Sequence, residues 1–215
     1  IKINVVMGRH TGWLAAAAAL AKKCHINSEF QAGMGPDLIY FPEIEFDERK
    51  FLHDVQKVYD RIGRATIVVA EGLSEQLNKS IGKTTREVDE FGNAQISDSG
   101  RLGEFLANYI KKHLDIDTSL GSLRCRADTL GFMQRSLAGM QSKVDQECAF
   151  LVGAMAVRYI IQSETDKMVT LVRVQGSTTS FETSLCDLKL VAQKTKKVPR
   201  SMINKEANGV TEDFY

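Results

Sequence analysis

Residues 1–23, IKINVVMGRHTGWLAAAAALAKK, decide how the chain is read. The first seven are largely β-branched and apolar, which predicts a strand. Gly8 to Gly12 predict a turn, and the Ala- and Leu-rich run from Trp13 to Lys23 predicts a helix. The pattern then repeats. Residues 37–41, DLIYF, read as a second strand closed by Pro42. Asp47 has the chemistry of a helix N-cap, with Glu48 in the first turn. Phe51, Leu52, Val55, Val58, Tyr59 and Ile62 share one helical face, and Gly63 suits the position after its end. Residues 65–70, ATIVVA, are apolar throughout, as in a parallel strand buried on both faces. Strand, helix, strand, helix, strand in 72 residues predicts an α/β fold, a parallel sheet flanked by helices.

Further along, residues 74–98 are polar and predict a long surface loop. Leu102, Phe105, Leu106, Tyr109 and Ile110 mark an amphipathic helix, and residues 122–127 a strand. Ser142 and Asp145 are spaced as a capping box before the longest helix, in which Val144, Cys148, Leu151, Met155 and Tyr159 share a face. Residues 167–174 read as another strand. The basic run of Lys194, Lys196, Lys197 and Arg200 reads as a solvated surface.

The totals narrow the function classes. The 215 residues are 43% hydrophobic and 26% charged, with a net charge of +1. That balance gives no general pull toward nucleic acid or membrane, so an anion site must be local. No run is apolar enough to span a bilayer. Cys24, Cys125, Cys148 and Cys186 contain no CxxC pair and read as reduced thiols of a cytoplasmic protein. Cys24 beside His25 lacks a second ligand pair and reads as a thiol near a helix end. The chain opens directly on a strand without an initiator Met, which gives the expectation that it begins inside a larger protein.

In open α/β sheets ligands bind beyond the carboxyl ends of the strands, so the residues just past each strand carry the chemistry. After the first comes Gly8-Arg9-His10-Thr11-Gly12. Its glycines admit close backbone approach, Thr11 can cap the next helix, and Arg9 can fork onto a phosphate. A plain strand-to-helix turn with a surface arginine has the same spacing. After the third strand comes Glu71-Gly72, where a carboxylate can accept from sugar hydroxyls or, equally, serve as a cap or ion-pair member. The third cluster places Arg124, Arg126 and Arg135 around a strand and a Gly turn. Arginine forks match phosphate oxygens; pairing with Asp128 or solvent is the alternative. There is no GxxxxGK[ST] loop, no kinase catalytic-loop set and no aspartate pair in a Mg²⁺-binding turn. The sequence offers an acceptor site without a donor site.

At these residues the chain resembles the phosphofructokinase family. Val6 to Ala15, VMGRHTGWLA, is similar to that family's MGR motif with its following G-W and Ala-rich helix. Residues 36–43, Val69-Ala70-Glu71-Gly72, Glu90-Phe91-Gly92 and Leu102-Gly103-Glu104 resemble its next segments. Leu130-Gly131-Phe132-Met133-Gln134-Arg135 resembles its LGxxQR motif. The match is colinear from about residue 1 to residue 160, and the tail from Pro199 to Tyr215 is similar to the ending of pyrophosphate-using members.

The resemblance implies a fructose-6-phosphate-binding α/β lobe over residues 1–165, with residues 166–215 completing the family fold as a strand, helix and tail. It implies that Met7, Gly8 and Arg9 contact fructose 6-phosphate, with Arg9 catalytic at the approach of the transferred phosphoryl group. Glu71 would hold sugar hydroxyls and Arg135 the 6-phosphate, while Arg126 would reach into a neighbouring subunit's sugar site. Phe132 stands where the family has His or Tyr and cannot donate a hydrogen bond. Ser136-Leu137-Ala138-Gly139 replaces an RGG-type continuation.

The implied activity is conversion of fructose 6-phosphate to fructose 1,6-bisphosphate, with pyrophosphate or ATP as donor and Mg²⁺ bound mainly by an upstream half. The implied assembly is a homo-oligomer, dimer or tetramer, without nucleic acid or membrane partners. The family's Gly-Gly-Asp donor loop and its TID motif, with the base aspartate, lie upstream of MGR and do not occur here, so this chain alone is expected to be inactive. A non-catalytic sugar-phosphate sensor and an α/β kinase acting on a lipid or nucleotide are the alternatives.

Overall fold

In the computed structural model, which describes residues 1–23, 34–77, 100–115, 122–177 and 179–215, the predicted alternation forms a parallel sheet. Strands β1 (Lys2–Val6), β2 (Leu38–Tyr40), β3 (Thr66–Ala70) and β4 (Arg126–Thr129) lie in the order β2-β3-β1-β4. β1 is therefore central, paired with β3 from Lys2↔Thr66 to Val6↔Ala70 and with β4 from Lys2↔Arg126 to Val5↔Thr129. All pairs are parallel, so the carboxyl ends of β1, β3 and β4 share one rim.

Period-two alternation sends side chains to two different cores. Ile3, Val5, Leu38, Tyr40, Ile67 and Val69 face one way and pack on helices α2 (Glu48–Ile62) and, counted after the short α3 (Leu73–Gln76), α4 (Arg101–His113). Phe51, Val55 and Val58 of α2 and Leu102, Leu106 and Ile110 of α4 complete this layer. Val6, Ile39, Phe41, Val68 and Ala70 face the other way, against Ala15, Ala16 and Ala19. Here the predicted helix is α1 (Trp13–Ala17) followed by a 3-10 segment, Ala18–Lys23. This second face is closed by the end of the chain: Val198 and Ile203 are buried in it, and the Asn208 carbonyl accepts from the Ile39 N–H at 2.9 Å. A tail that reads as a solvated basic surface thus supplies a layer of the core. The Lys and Arg side chains at 194, 196, 197 and 200 are exposed as predicted, yet the Arg200 Nη1 donates to the Ile203 and Asn204 carbonyls at 2.7 and 2.9 Å.

α2 obeys its sequence signals closely. Asp47 Oδ1 accepts from the Arg49 and Lys50 N–H groups at 2.8 and 3.1 Å, and Gly63 ends the helix in a left-handed conformation. Ile62, assigned to the apolar face, is exposed in the last turn. Inside, Asp54 is buried but takes hydrogen bonds from the Tyr40 hydroxyl at 3.1 Å and Lys50 Nζ at 2.6 Å. Burial, then the Asp54 carboxylate, pushes the Tyr40 hydroxyl far above its ordinary value, so it stays a donor. β4 starts later than predicted because pairing decides it. The Arg126 N–H donates to the Ile1 carbonyl, and residues before Arg126 run past the end of β1.

The described residues form two compact units: Ile1–Gln134 with Lys196–Tyr215, and Arg135–Thr195. The boundary falls within the short helix α5 (Met133–Ser136), a division by packing and not the functional partition at residue 165. The second unit holds α6 (Lys143–Ile161), the antiparallel pair β5 (Lys167–Arg173) and β6 (Phe181–Asp187), and α7 (Leu188–Val191). Ser142 caps α6 by accepting from the Asp145 N–H, and the predicted face from Val144 to Tyr159 is its half-buried side. β6 is not legible in the sequence: Thr183 and Ser184 interrupt its apolar pattern. Of the polar stretch 74–98, residues 74–76 belong to α3; residues 78–99, with Glu90-Phe91-Gly92, lie outside the described residues, as do Cys24 and His25. Cys125, Cys148 and Cys186 are free thiols, and burial pushes the Cys125 thiol up.

This packing sets two expectations for stability. Leu106→Ala, which empties a fully buried position between α4 and the sheet, should cost about 2–5 kcal/mol in urea unfolding. The Asp47 carboxyl is held below its ordinary value, first by the Lys50 N–H and then by that of Arg49. A lowered folded pKa stabilises above the unfolded value and is lost as pH falls through the folded one. Asp47→Asn should therefore lower the unfolding midpoint more at neutral pH than under acid conditions.

Candidate active-site rim

The central strand ends at Val6, and the next residues must turn sharply without ladder partners of their own. The flanking segments supply acceptors. The Met7 N–H donates to Gln134 Oε1 at 3.2 Å, and the Gly8 N–H donates to Glu71 Oε1 at 3.2 Å. Gln134 belongs to α5, after β4; Glu71 comes directly after β3. Each neighbour of β1 thus holds one N–H of its exit. Gln134 is itself braced by Nε2 donating to the Gly131 carbonyl at 3.2 Å.

Backbone contacts fix the rest. The Glu71 N–H donates to the Val6 carbonyl at 2.9 Å and the Gly72 N–H to the Gly8 carbonyl at 3.1 Å. A Cβ on Gly72 would lie 1.9 Å from the Arg9 carbonyl oxygen, and one on Gly8, whose φ is +143°, would lie 2.4 Å from the Thr11 carbonyl oxygen. Two loops therefore touch backbone to backbone, which only glycine permits. The result sets Glu71, 7% exposed, and the half-buried Arg9 at one end of the sheet. A fixed carboxylate acceptor and an arginine on two touching loops can orient a polyol bearing negative charge.

The other sequence-predicted residues divide. Met7 and Gly8 are at the rim, and their N–H groups are given to Gln134 and Glu71. Phe132 sits on the turn after β4 at the same rim, 56% exposed. Arg126 does not join them. It opens β4 opposite Lys2, at the far end of the strand, and lines a groove of about 650 Å³ with Glu104, Lys111 and Asp128. Arg124 precedes it, so the three arginines adjacent in sequence are not one cluster at the rim. The side chain of Arg135 lies outside the described residues. Thr11 does not cap α1; its Oγ1 donates to the Lys196 carbonyl, and Gly12 is the N-cap. Sequence reasoning misses Gln134 as a support, although it lies within the quoted LGFMQR motif. It also misses Glu43, which accepts from the Gly12 N–H at 2.9 Å. Among the described residues no three His, Cys, Asp or Glu side chains cluster so as to hold a metal ion.

The rim predicts a contrast between two glycines. Gly72→Ala should displace the loop at Arg9 and cost about 1–3 kcal/mol. Gly153→Ala, within α6 with no atom inside 4 Å of the added methyl, should stabilise by about 0.5–1 kcal/mol. Thermal unfolding of the two variants beside the parent chain checks both.

Comparison with known proteins identifies the family. The Phosphofructokinase family pattern matches residues 2–160. The Pyrophosphate--fructose 6-phosphate 1-phosphotransferase of Rhodospirillum rubrum is 42% identical, over 100% of this chain and 50% of its own. That of Xanthomonas campestris is 32% identical over 98% of this chain and 46% of its own. The crystal structure of the pyrophosphate-dependent phosphofructokinase from Nitrosospira multiformis superposes with a TM-score of 0.72 at 27% identity, covering 98% of this chain and 45% of that one. The chain thus spans about half the length of the relatives it matches. A match from residue 2 to residue 160, a span that includes the Gly8–Arg9 and Glu71–Gly72 loops, places this chain in the phosphofructokinase family.

Proposed function

We propose that this chain is the sugar-phosphate-binding part of a pyrophosphate-dependent phosphofructokinase. In that reaction the phosphoryl group passes from pyrophosphate to the 1-hydroxyl oxygen of fructose 6-phosphate. Orthophosphate leaves and fructose 1,6-bisphosphate forms. The single observation that carries the reading is the contact between the Gly8–Arg9 and Glu71–Gly72 backbones, which sets an acceptor and a cation at the carboxyl end of the central strand. The names of the two relatives described above favour pyrophosphate over ATP as donor.

In this reading Glu71 accepts from sugar hydroxyls with the oxygen lone pairs that Gly8 leaves available. Arg9 neutralises charge on the phosphoryl group in flight, where transfer depends chiefly on positioning and electrostatics. Met7 and Gly8 contact fructose 6-phosphate beside Arg9, and Arg135 anchors the 6-phosphate. Phe132 covers the sugar without donating a hydrogen bond. Arg126, displaced from the rim, serves the sugar site of a neighbouring subunit, so the working form is a homo-oligomer. The base aspartate and the donor-binding residues belong to the rest of the enzyme, and this chain alone does not turn over. Among the described residues no three His, Cys, Asp or Glu side chains cluster, and we assign the ligation of Mg²⁺ mainly to that other part as well. Residues 1–165 act as the substrate lobe and residues 166–215 complete the fold. We place the protein in the cytoplasm; among the described residues no helix is long and apolar enough to cross a membrane.

Titration calorimetry of the 215-residue chain with fructose 6-phosphate tests the reading. Glu71→Gln should keep the fold and weaken binding, and Arg135→Ala should weaken it about tenfold or more, as for a lost charge-assisted hydrogen bond. Unchanged affinity in both variants overturns the assignment. Unfolding of Glu71→Gln would make Glu71 a structural residue only.

A further inference from the structure

The tail returns to the rim at one point. The Lys196 carbonyl accepts from Trp13 Nε1 at 2.7 Å and from Thr11 Oγ1 at 3.3 Å. Two positions on, the Val198 N–H donates to Glu43 Oε1 at 2.9 Å. The same carboxylate takes the Gly12 N–H, at 2.9 Å to Oε1 and 3.1 Å to Oε2. One half-buried side chain, on the turn after β2, therefore joins the end of the Arg9 loop to a segment 155 positions away. The Val198 side chain is buried beside it, in the core layer of Ala15, Ala16 and Ile39.

The consequence is geometric. The loop from Gly8 to Gly12 is five residues long. Gln134 and Glu71 fix its start, and Glu43 fixes its end. Arg9 lies between two held points, and a short loop tied at both ends has few conformations left to lose on binding a ligand. Release of the Gly12 end returns that freedom to Arg9.

We propose that Glu43 is a positioning residue that, by bridging Gly12 and Val198, makes the placement of Arg9 depend on docking of the C-terminal tail. Glu43 itself touches no substrate. The effect on ligand affinity rests on the sugar-phosphate reading above, whereas the coupling of tail to loop does not.

Amide hydrogen exchange and fructose 6-phosphate titration of Glu43→Ala, Glu43→Gln and Trp13→Phe test it in the full 215-residue chain. In Glu43→Ala, exchange at residues 8–12 and 196–198 should quicken together while residues 66–70 keep their protection, and affinity should fall about tenfold. Glu43→Gln keeps one carbonyl oxygen for both N–H groups and should restore exchange and affinity to within about threefold. Trp13→Phe removes one tail anchor and should loosen residues 8–12 as well; it decides the matter if Glu43→Ala does not fold. The proposal is overturned if the tail loosens while residues 8–12 do not, if the loop loosens with affinity unchanged, or if the glutamine variant fails to rescue. Absence of fructose 6-phosphate binding by the parent chain would sink the functional reading instead, with the exchange results still deciding the coupling.

Discussion

Everything at the rim depends on how the central strand is let go. A strand inside a parallel sheet has its N–H groups satisfied by its neighbours; the residues just past its end do not. Here three side chains from three separate segments take over. Gln134 accepts from Met7, Glu71 from Gly8 and Glu43 from Gly12. Each bond is modest in net energy, but an orphaned N–H at this depth would cost about 1–3 kcal/mol. The three acceptors therefore act as a specification of the loop, and the loop in turn specifies where Arg9 stands.

The acceptors can reach because Gly72 lets the two loops touch and Gly8 lets the first of them fold tightly on itself. Carbonyl oxygens occupy the space that a methyl on either glycine would fill, that of Thr11 2.4 Å from the absent Gly8 Cβ and that of Arg9 1.9 Å from the absent Gly72 Cβ. A residue as small as alanine at position 72 would push the Glu71 segment from β1 and lengthen the Glu71–Gly8 bond. Close approach and side-chain bridging are one device seen from two sides. The same device accounts for the position of Glu71: a carboxylate 7% exposed at a strand end is tolerable because it has a backbone donor.

The parts of this arrangement set by local chemistry are legible from sequence. Asp47 announces α2, the apolar run at 65–70 announces β3, and the glycine-punctuated turn after the first strand points to the rim. The resemblance of residues 1–160 to a known family puts Arg9 and Glu71 among the expected substrate contacts. The features hidden from sequence depend on long-range pairing. Nothing around Glu43 distinguishes it from Glu45, yet only its contacts with Gly12 and Val198 give it a role. The tail reads as a solvated basic run because charge marks the side chains of Lys196 and Lys197, whereas the structural work is done by a carbonyl and an N–H. Arg124 and Arg126 group with Arg135 in sequence because proximity along the chain hides strand direction; β4 carries the first two to the opposite end from the rim.

A rim whose shape is held by backbone and by inward-pointing acceptors lets its outward side chains change. Phe132 illustrates this. It occupies a turn after β4, is 56% exposed, and the turn itself is held by Gln134 donating to the Gly131 carbonyl. Exchanging a hydrogen-bonding ring for phenyl there alters what the rim offers a ligand without touching what supports the rim. The opposite holds at Gly8 and Gly72, which offer a ligand little and support everything. Chemical divergence on such a scaffold should therefore concentrate at positions such as 132, and intolerance to substitution at positions that present no side chain at all. That separation is what allows one loop geometry to persist while the side chains around it change.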